Sequence, residues 1–295
     1  MEQLLIKDTI EFGDVIEEWN RQIADFGNFI GWELIFYPVI RNQIILGFAL
    51  SFEGIESNRY IFKRYDLKKN LMLDDEWEVE LQKEICITVL DFSADNIVIL
   101  TYDEKCCKYR IQSASDDIVF EVGEDLARCM ADEKGNIAVG YNFDEVIQNG
   151  GASVIIYNRN GEIVYKYKND NRALACNDIY IDNGGLLWFH SFGKNSIEKI
   201  DEDVITSYEC EMSGFDGMVL SADNKYLYVS YSSEAFGDRI FKMEYSEGKY
   251  VNAVECEVVL QDNEETQEVK GLSAGYGYGV YILDENKLGI ICVDD

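Results

Sequence analysis

A loose internal repeat does most to limit what this chain can become. Each copy is an apolar strand, a short Asx/Gly turn, then a strand rich in β-branched and aromatic residues. Residues 32–40 turn at Arg41-Asn42-Gln43 into 44–50, and 88–92 turn at 93–96 into 97–102. Residues 129–132 turn at Lys134-Gly135-Asn136 into 137–141, and 177–182 turn at Asn183-Gly184-Gly185 into 186–189. Residues 218–221 turn at Asp223-Asn224-Lys225 into 226–231, and 271–275 turn near Gly277 into 279–283. Anchored on Asn42, Asn96, Gly135, Gly185, Asn224 and Gly277, the copies are 54, 39, 50, 39 and 53 residues apart. A period of about 40–50 residues is that of β-propeller blades.

Each copy leaves room for two more strands, such as 152–159 and 162–168 around Asn160-Gly161, or 239–245 and 250–260 around Glu247-Gly248. Four antiparallel strands make one blade. The last copy ends after a third strand, 287–293, while the N-terminus offers a spare one at 3–12. Pairing the two closes the ring and removes an open edge. The expected fold is therefore all-β, a single six-bladed propeller domain over 1–295. Its closing strand is 1–12, and its blades span 28–84, 85–123, 124–170, 171–212, 213–261 and 262–295 with 1–12. Seven blades is the alternative, with a degenerate copy inside 50–85. One segment departs from the β pattern. Residues 14–27 place Val15, Ile16, Trp19 and Ile23 on one helical face, with Asp14 and Glu17 in capping-box spacing and Gly27 as a stop.

Charge narrows the partners. With 26 basic and 56 acidic side chains, the net charge is −30. Such a surface repels phosphate backbones and anionic headgroups, so nucleic acid and membranes are not expected partners. A cationic protein, a divalent cation or a neutral small molecule stays open; oligomeric state is not legible. No positive n-region with an apolar stretch opens the sequence, and no run of about 20 apolar residues occurs, so a cytoplasmic location is expected. The eight cysteines lack zinc-ligand spacing and mostly sit in apolar runs, as reduced buried thiols do. Cys106-Cys107 is a vicinal pair with no CxxC partner.

Catalytic motifs are sparse. Gly275-Tyr276-Gly277-Tyr278-Gly279 precedes no helix and no Lys-Ser/Thr, so it is a turn and not a phosphate loop. His190 is the only histidine, which excludes His-cluster metal sites, and its place after Leu187-Trp188-Phe189 suits packing better than base catalysis. No GxSxG is present. Acidic pairs such as Asp74-Asp75, Asp116-Asp117 and Glu264-Glu265 fall in polar stretches and read as solvated.

In a propeller, equivalent positions of the innermost strands converge on the axis. The position about five residues before each turn holds Glu33, Thr88, Ala127, Asn177, Asp216 and Lys270. Oxygen donors such as Glu33, Asn177 and Asp216 suit a hard cation, Ca²⁺ or Mg²⁺, and Lys270 can balance Asp216.

Residues 177–182 (Asn-Asp-Ile-Tyr-Ile-Asp), continuing to Leu187-Trp188-Phe189, resemble the blade signature of senescence-marker/gluconolactonase-like propellers and of NHL-type repeats. Phe215-Asp216-Gly217-Met218, continuing to Tyr226-Leu227-Tyr228-Val229, is similar to the next blade of the gluconolactonase type. The resemblance covers about two blades. It implies a divalent cation held by Glu33, Asn177 and Asp216, polarising a lactone carbonyl and helping to activate water. Three features depart from that family, one being Lys270, which has no counterpart there. The family's blade-one opening is replaced by Ile30-Gly31-Trp32-Glu33-Leu34, and its blade-three substrate-binding Asn corresponds to Ala127, with Arg128 beside it.

Two function readings follow. The first is a non-catalytic binding propeller that recognises a protein or small ligand through rim loops or the channel mouth, with Arg128, His190 and Lys270 as candidate ligand-binding residues. Trp19, Phe236, Tyr276 and Tyr278 are its candidate aromatic anchors. The alternative is a lactonase- or esterase-like hydrolase in which Asp216, with Glu33 and Asn177, holds the metal. Enzymatic status is open between them.

Overall fold

The computed structural model describes residues 2–6, 8–23, 29–36, 39–40, 42–53, 58–81, 86–93, 96–103, 108–113, 119–132, 134–148, 150–168, 175–201, 204–232, 238–260, 266–267, 269–275, 277–284 and 287–293. Their strands form four-stranded antiparallel meanders. Unit one is Phe29–Phe36 (continued by Val39–Ile40), Gln43–Phe52, Asn58–Asp66 and Leu71–Leu81. The described residues between 50 and 85 include the two outer strands of this unit, Asn58–Asp66 and Leu71–Leu81. Unit two is Cys86–Ser93, Asn96–Asp103, Lys108–Ser113 and Val119–Gly123. Unit three is Leu126–Ala131, Ile137–Tyr141, Ala152–Tyr157 and Ile163–Lys168; unit four is Cys176–Ile181, Leu187–Ser191, Ser196–Asp201 and Val204–Cys210. Unit five is Gly217–Leu220, Tyr226–Tyr231, Arg239–Ser246 and Lys249–Leu260. Unit six is Lys270–Gly275, Tyr278–Asp284 and Lys287–Cys292, completed by the N-terminal Asp8–Glu11.

The first strands touch in a cycle. Val39–Ile40 meets Cys86–Ser93, which meets Leu126–Ala131, and the series continues through Cys176–Ile181, Gly217–Leu220 and Lys270–Gly275 back to Val39–Ile40. The fold is a β-propeller. Its middle is tightly filled. A Cβ on Gly275 of unit six would lie 3.2 Å from the Val39 carbonyl oxygen of unit one and 3.3 Å from Met130 Cε of unit three. Any larger residue there would press on both neighbours and require them to shift.

The turn anchors explain why the repeat was visible. Asn42, Gly135, Gly185, Asn224 and Gly277 all have positive φ, between 56° and 82°, a conformation that Gly and Asn adopt at least cost. Side chains at the same turns complete the hairpins. Asp182 Oδ1 accepts from the Gly184 and Leu186 amides at 2.9 Å, and its Oδ2 accepts from Trp188 Nε1 at 2.8 Å. Asp132 accepts from the amide and side chain of Asn136 in unit three, and Ser221 Oγ accepts from the Tyr226 amide in unit five.

Closure is more elaborate than one strand. Asp8–Glu11 pairs antiparallel with Lys287–Cys292, setting Asp8 opposite Ile290. The preceding Glu2–Ile6 instead runs parallel to the outer strand of unit five, with Leu5 opposite Val259. The single closing strand expected over 1–12 is therefore two. Leu4 and Ile6 enter the core between units five and six. Ile10, Phe12 and Ile16 enter a second core shared with unit one, where Phe12 sits edge-on to Trp32 and Phe48. The helix Gly13–Ile23 follows at once, with Ile16 buried and Val15 packed on the core. Gly27 and the side chains of Trp19 and Ile23 lie outside the described residues. No described helix is long and apolar enough to cross a membrane.

Tyr180 ties three units together. Its buried hydroxyl donates to the Leu220 carbonyl of unit five at 3.2 Å and accepts from the Gly277 amide of unit six at 2.8 Å. Tyr180→Phe keeps the ring but strands both partners. It is expected to cost about 1–3 kcal/mol, read as a lowered urea midpoint with an unchanged m-value.

Candidate functional site

The first-strand starts of units three, four and five meet at one mouth of the ring. Two bulges set which side chains face it. Unit three slips register between Leu126 and Arg128, and unit four between Cys176 and Asp178. Each slip inserts one residue, Ala127 or Asn177, and advances the inward phase by one position. The facing pair is thus Arg128 and Asp178, one step beyond the aligned positions. Arg128 Nε lies 3.5 Å from Asp178 Oδ1, and its terminal nitrogens donate to the Ala127 carbonyl at 3.2 Å and the Asp216 carbonyl at 3.3 Å. The guanidinium therefore staples three units while half its side chain stays exposed.

Asp178 is the residue that alignment by turns missed. It is buried, and its Oδ2 accepts from the Met218 amide at 2.8 Å. Burial pushes its pKa up from 3.8 to about 6, against the opposing pull of Arg128 and the backbone donors. Between these values the folded chain holds a proton that the unfolded chain has released. The stability from this group therefore falls as pH rises from about 4 to 6 and stays low above that. The difference amounts to about 3 kcal/mol. Asp178→Asn is expected to raise the urea midpoint at pH 8, with the gain shrinking toward pH 4. An equal gain at both pH values would contradict it.

The other expected residues are placed as follows. Asn177 is half-buried and donates to the Phe215 carbonyl at 3.4 Å, which brings it beside Asp216. Asp216 is exposed, and its Oδ2 accepts from the Ser232 amide at 2.8 Å. Glu33 is exposed in Phe29–Phe36, opposite Ala49. Among the described residues, no hydrogen bond or ion pair joins it to Asn177 or Asp216, and no group of three His, Cys, Asp or Glu side chains gathers as a metal site. The Lys270 side chain lies outside the described residues, as do those of Thr88 and of Cys106-Cys107.

His190 has no ring nitrogen to offer a ligand. It is fully buried and stacked on Phe215 with centroids 3.9 Å apart; Nδ1 donates to the Ser196 carbonyl at 3.0 Å and Nε2 accepts from the Gly214 amide at 3.2 Å. Burial lowers its pKa from 6.5 to about 4, so the ring stays neutral. As pH falls from 6.5 toward 4, this group costs stability, opposite in sign to Asp178. Desolvation raises the thiols of Cys129 and Cys210 to about 12 and that of Cys256 to about 11, away from the thiolate that reactive cysteines need.

The same mouth carries an apolar rim. In each meander the start of the first strand and the end of the second share an edge, as Leu126 with Tyr141 and Cys176 with Ser191. Unit three inserts a short helix at that edge, Phe143–Gln148, where unit four has only a tight loop at Phe192. Phe143, Ile147 and Phe192 are 46%, 65% and 52% exposed, and the two phenyl rings meet edge-on at 6.4 Å. Of the anchors expected from sequence, Tyr278 packs against the core. Phe236 and Tyr276 lie outside the described residues.

No family model and no curated protein matches the chain. Among solved structures it is similar to a virginiamycin B lyase from Staphylococcus aureus, at 13% identity over 97% of this chain and 98% of that one, with a TM-score of 0.47. It is also similar to YCF48 bound to D1 peptide, at 8% identity over the whole of both chains, with a TM-score of 0.49. A third is the β-propeller domain of the Trilobed protease from Pyrococcus furiosus, at 10% identity over 86% and 78%, with a TM-score of 0.46. At these identities no activity transfers.

Proposed function

We propose that this chain is a non-catalytic binding propeller that takes a protein partner on the mouth formed by units three, four and five. The observation that carries the reading is the exposed trio Phe143, Ile147 and Phe192, the first two on the unit-three insertion and the third on the adjoining unit-four loop, beside the Arg128–Asp178 pair. Contiguous apolar side chains on a rigid rim are what interfaces use as anchors. Loops can present them because the scaffold beneath is held by its own core. The −30 charge favours a partner with basic residues around its apolar contact, and makes association fast at low salt and slower as salt rises. The neutral, doubly bonded His190 supports a structural role for the only histidine.

Ile147→Asp with Phe192→Asp is expected to leave the urea midpoint within about 0.5 kcal/mol, since both side chains are already solvated. Partner affinity should fall by 30-fold or more, at about 2 kcal/mol for an anchor residue. The check is a pulldown with parent and variant from one extract, quantified protein by protein. A set of recovered proteins identical for both would remove the proposal.

A second reading, a divalent-cation-dependent hydrolase, draws on the closeness of Asn177 and Asp216. It requires Ca²⁺, Mg²⁺, Mn²⁺ or Zn²⁺ at 100 times its dissociation constant to add about 2.7 kcal/mol of stability, and Asp216→Ala to abolish the gain. The binding reading expects the same melting temperature in each metal and in chelator.

A further inference from the structure

Between units three and four lies a buried polar group that the binding reading does not use. Glu198 is 1% exposed on Ser196–Asp201. Its Oε1 is well served: Lys194 Nζ donates at 3.0 Å and Ser196 Oγ at 2.8 Å. Its Oε2 has no hydrogen-bond partner within the chain, and neither has the fully buried Ser191 Oγ. These atoms share one face of the unit-four sheet. Phe189 stands opposite Glu198, Ser191 is two residues further on, and Phe189 packs on Tyr167 of unit three. Ser191 and Glu198 are thus diagonal neighbours, with Cα atoms about 7–8 Å apart. Lys194 closes the outer side, donating to Tyr167 Oη at 2.8 Å and lying over its ring.

A carboxylate oxygen and a hydroxyl left unmatched in a core are costly. The guest they call for must donate to Glu198 Oε2 and also accept from, or donate to, Ser191 Oγ. An anion is excluded by the carboxylate. We infer that one internal water molecule is bound here, bridging Glu198 and Ser191 across the interface of units three and four. Water meets both requirements, and buried waters are held by such pairs of polar groups. The bridge fixes the 191–196 loop, whose Lys194 amide also donates to the Ser191 carbonyl and whose Phe192 projects outward. It does so whether or not that rim binds a partner.

A crystal structure at better than about 2 Å tests this directly, with density expected within 2.6–3.2 Å of both oxygens. Magnetic relaxation dispersion on the intact chain should count one long-lived water fewer in Ser191→Ala than in the parent. The melting temperature should be the same in sodium, potassium, ammonium and choline chloride at equal ionic strength. Direct contact of Glu198 Oε2 with Ser191 Oγ, or an unchanged water count in Ser191→Ala, would overturn the proposal. So would stabilisation specific to one cation, which would make this an ion site.

Discussion

A chain beginning at Gly13 is expected to lose its cooperative unfolding transition. Leu4, Ile6, Ile10 and Phe12 are all buried, between 0% and 8% exposed. Each contributes about 1.5–3 kcal/mol, so together they approach the whole net stability of a typical domain, about 5–15 kcal/mol. The loss is also topological. Without Asp8–Glu11, the strand Lys287–Cys292 becomes an open edge, and without Glu2–Ile6 the outer strand of unit five loses its parallel pairing over 256–260, keeping only that with Glu209 and Cys210 of unit four. The graded version is Ile10→Ala, which should cost about 2–5 kcal/mol. Urea unfolding followed by tryptophan fluorescence and far-ultraviolet circular dichroism measures both. A truncated chain that keeps the parent midpoint would show that closure contributes little.

Asp182→Ala is expected to cost about 2–4 kcal/mol. One carboxylate serves two turn amides and the indole of Trp188, which is 1% exposed. Truncation leaves that indole N–H buried without an acceptor. Asp182→Asn separates the two roles. One amide oxygen can still accept from the turn, but the NH₂ then faces another donor at Trp188. Asn should therefore recover part of the loss and no more. Full recovery by Asn would mean that the indole bond carries no weight.

These two sites also show what could be read before folding. The hairpin turns were legible because Gly and Asn mark left-handed backbone, and five of the six anchors adopt it. The N-terminal strand was legible as a spare. Its division between units five and six was not, because an apolar alternation fits either neighbour and only register decides. Alignment by turns was offset by one residue from the side chains that face one another in units three and four. Ala127 and Asn177 were aligned correctly with each other, but each is the extra residue of a bulge, and no local pattern marks a bulge. The facing side chains are consequently Arg128 and Asp178. The insertion 143–148 was missed for another reason: a helix under two turns leaves too few residues for its period to register. His190 was read both as packing and as a candidate ligand-binding residue; with both of its nitrogens held by backbone, it fits the first reading and not the second.

The crowding of Gly275, Val39 and Met130 has a consequence for traffic. A propeller hollow from end to end can pass a molecule through, or admit it from either side. Here units one, three and six crowd together at the turn-side end, which narrows that route. A partner seated on Phe143 and Phe192, at the mouth that Arg128 shares, would also stand over its half-exposed guanidinium.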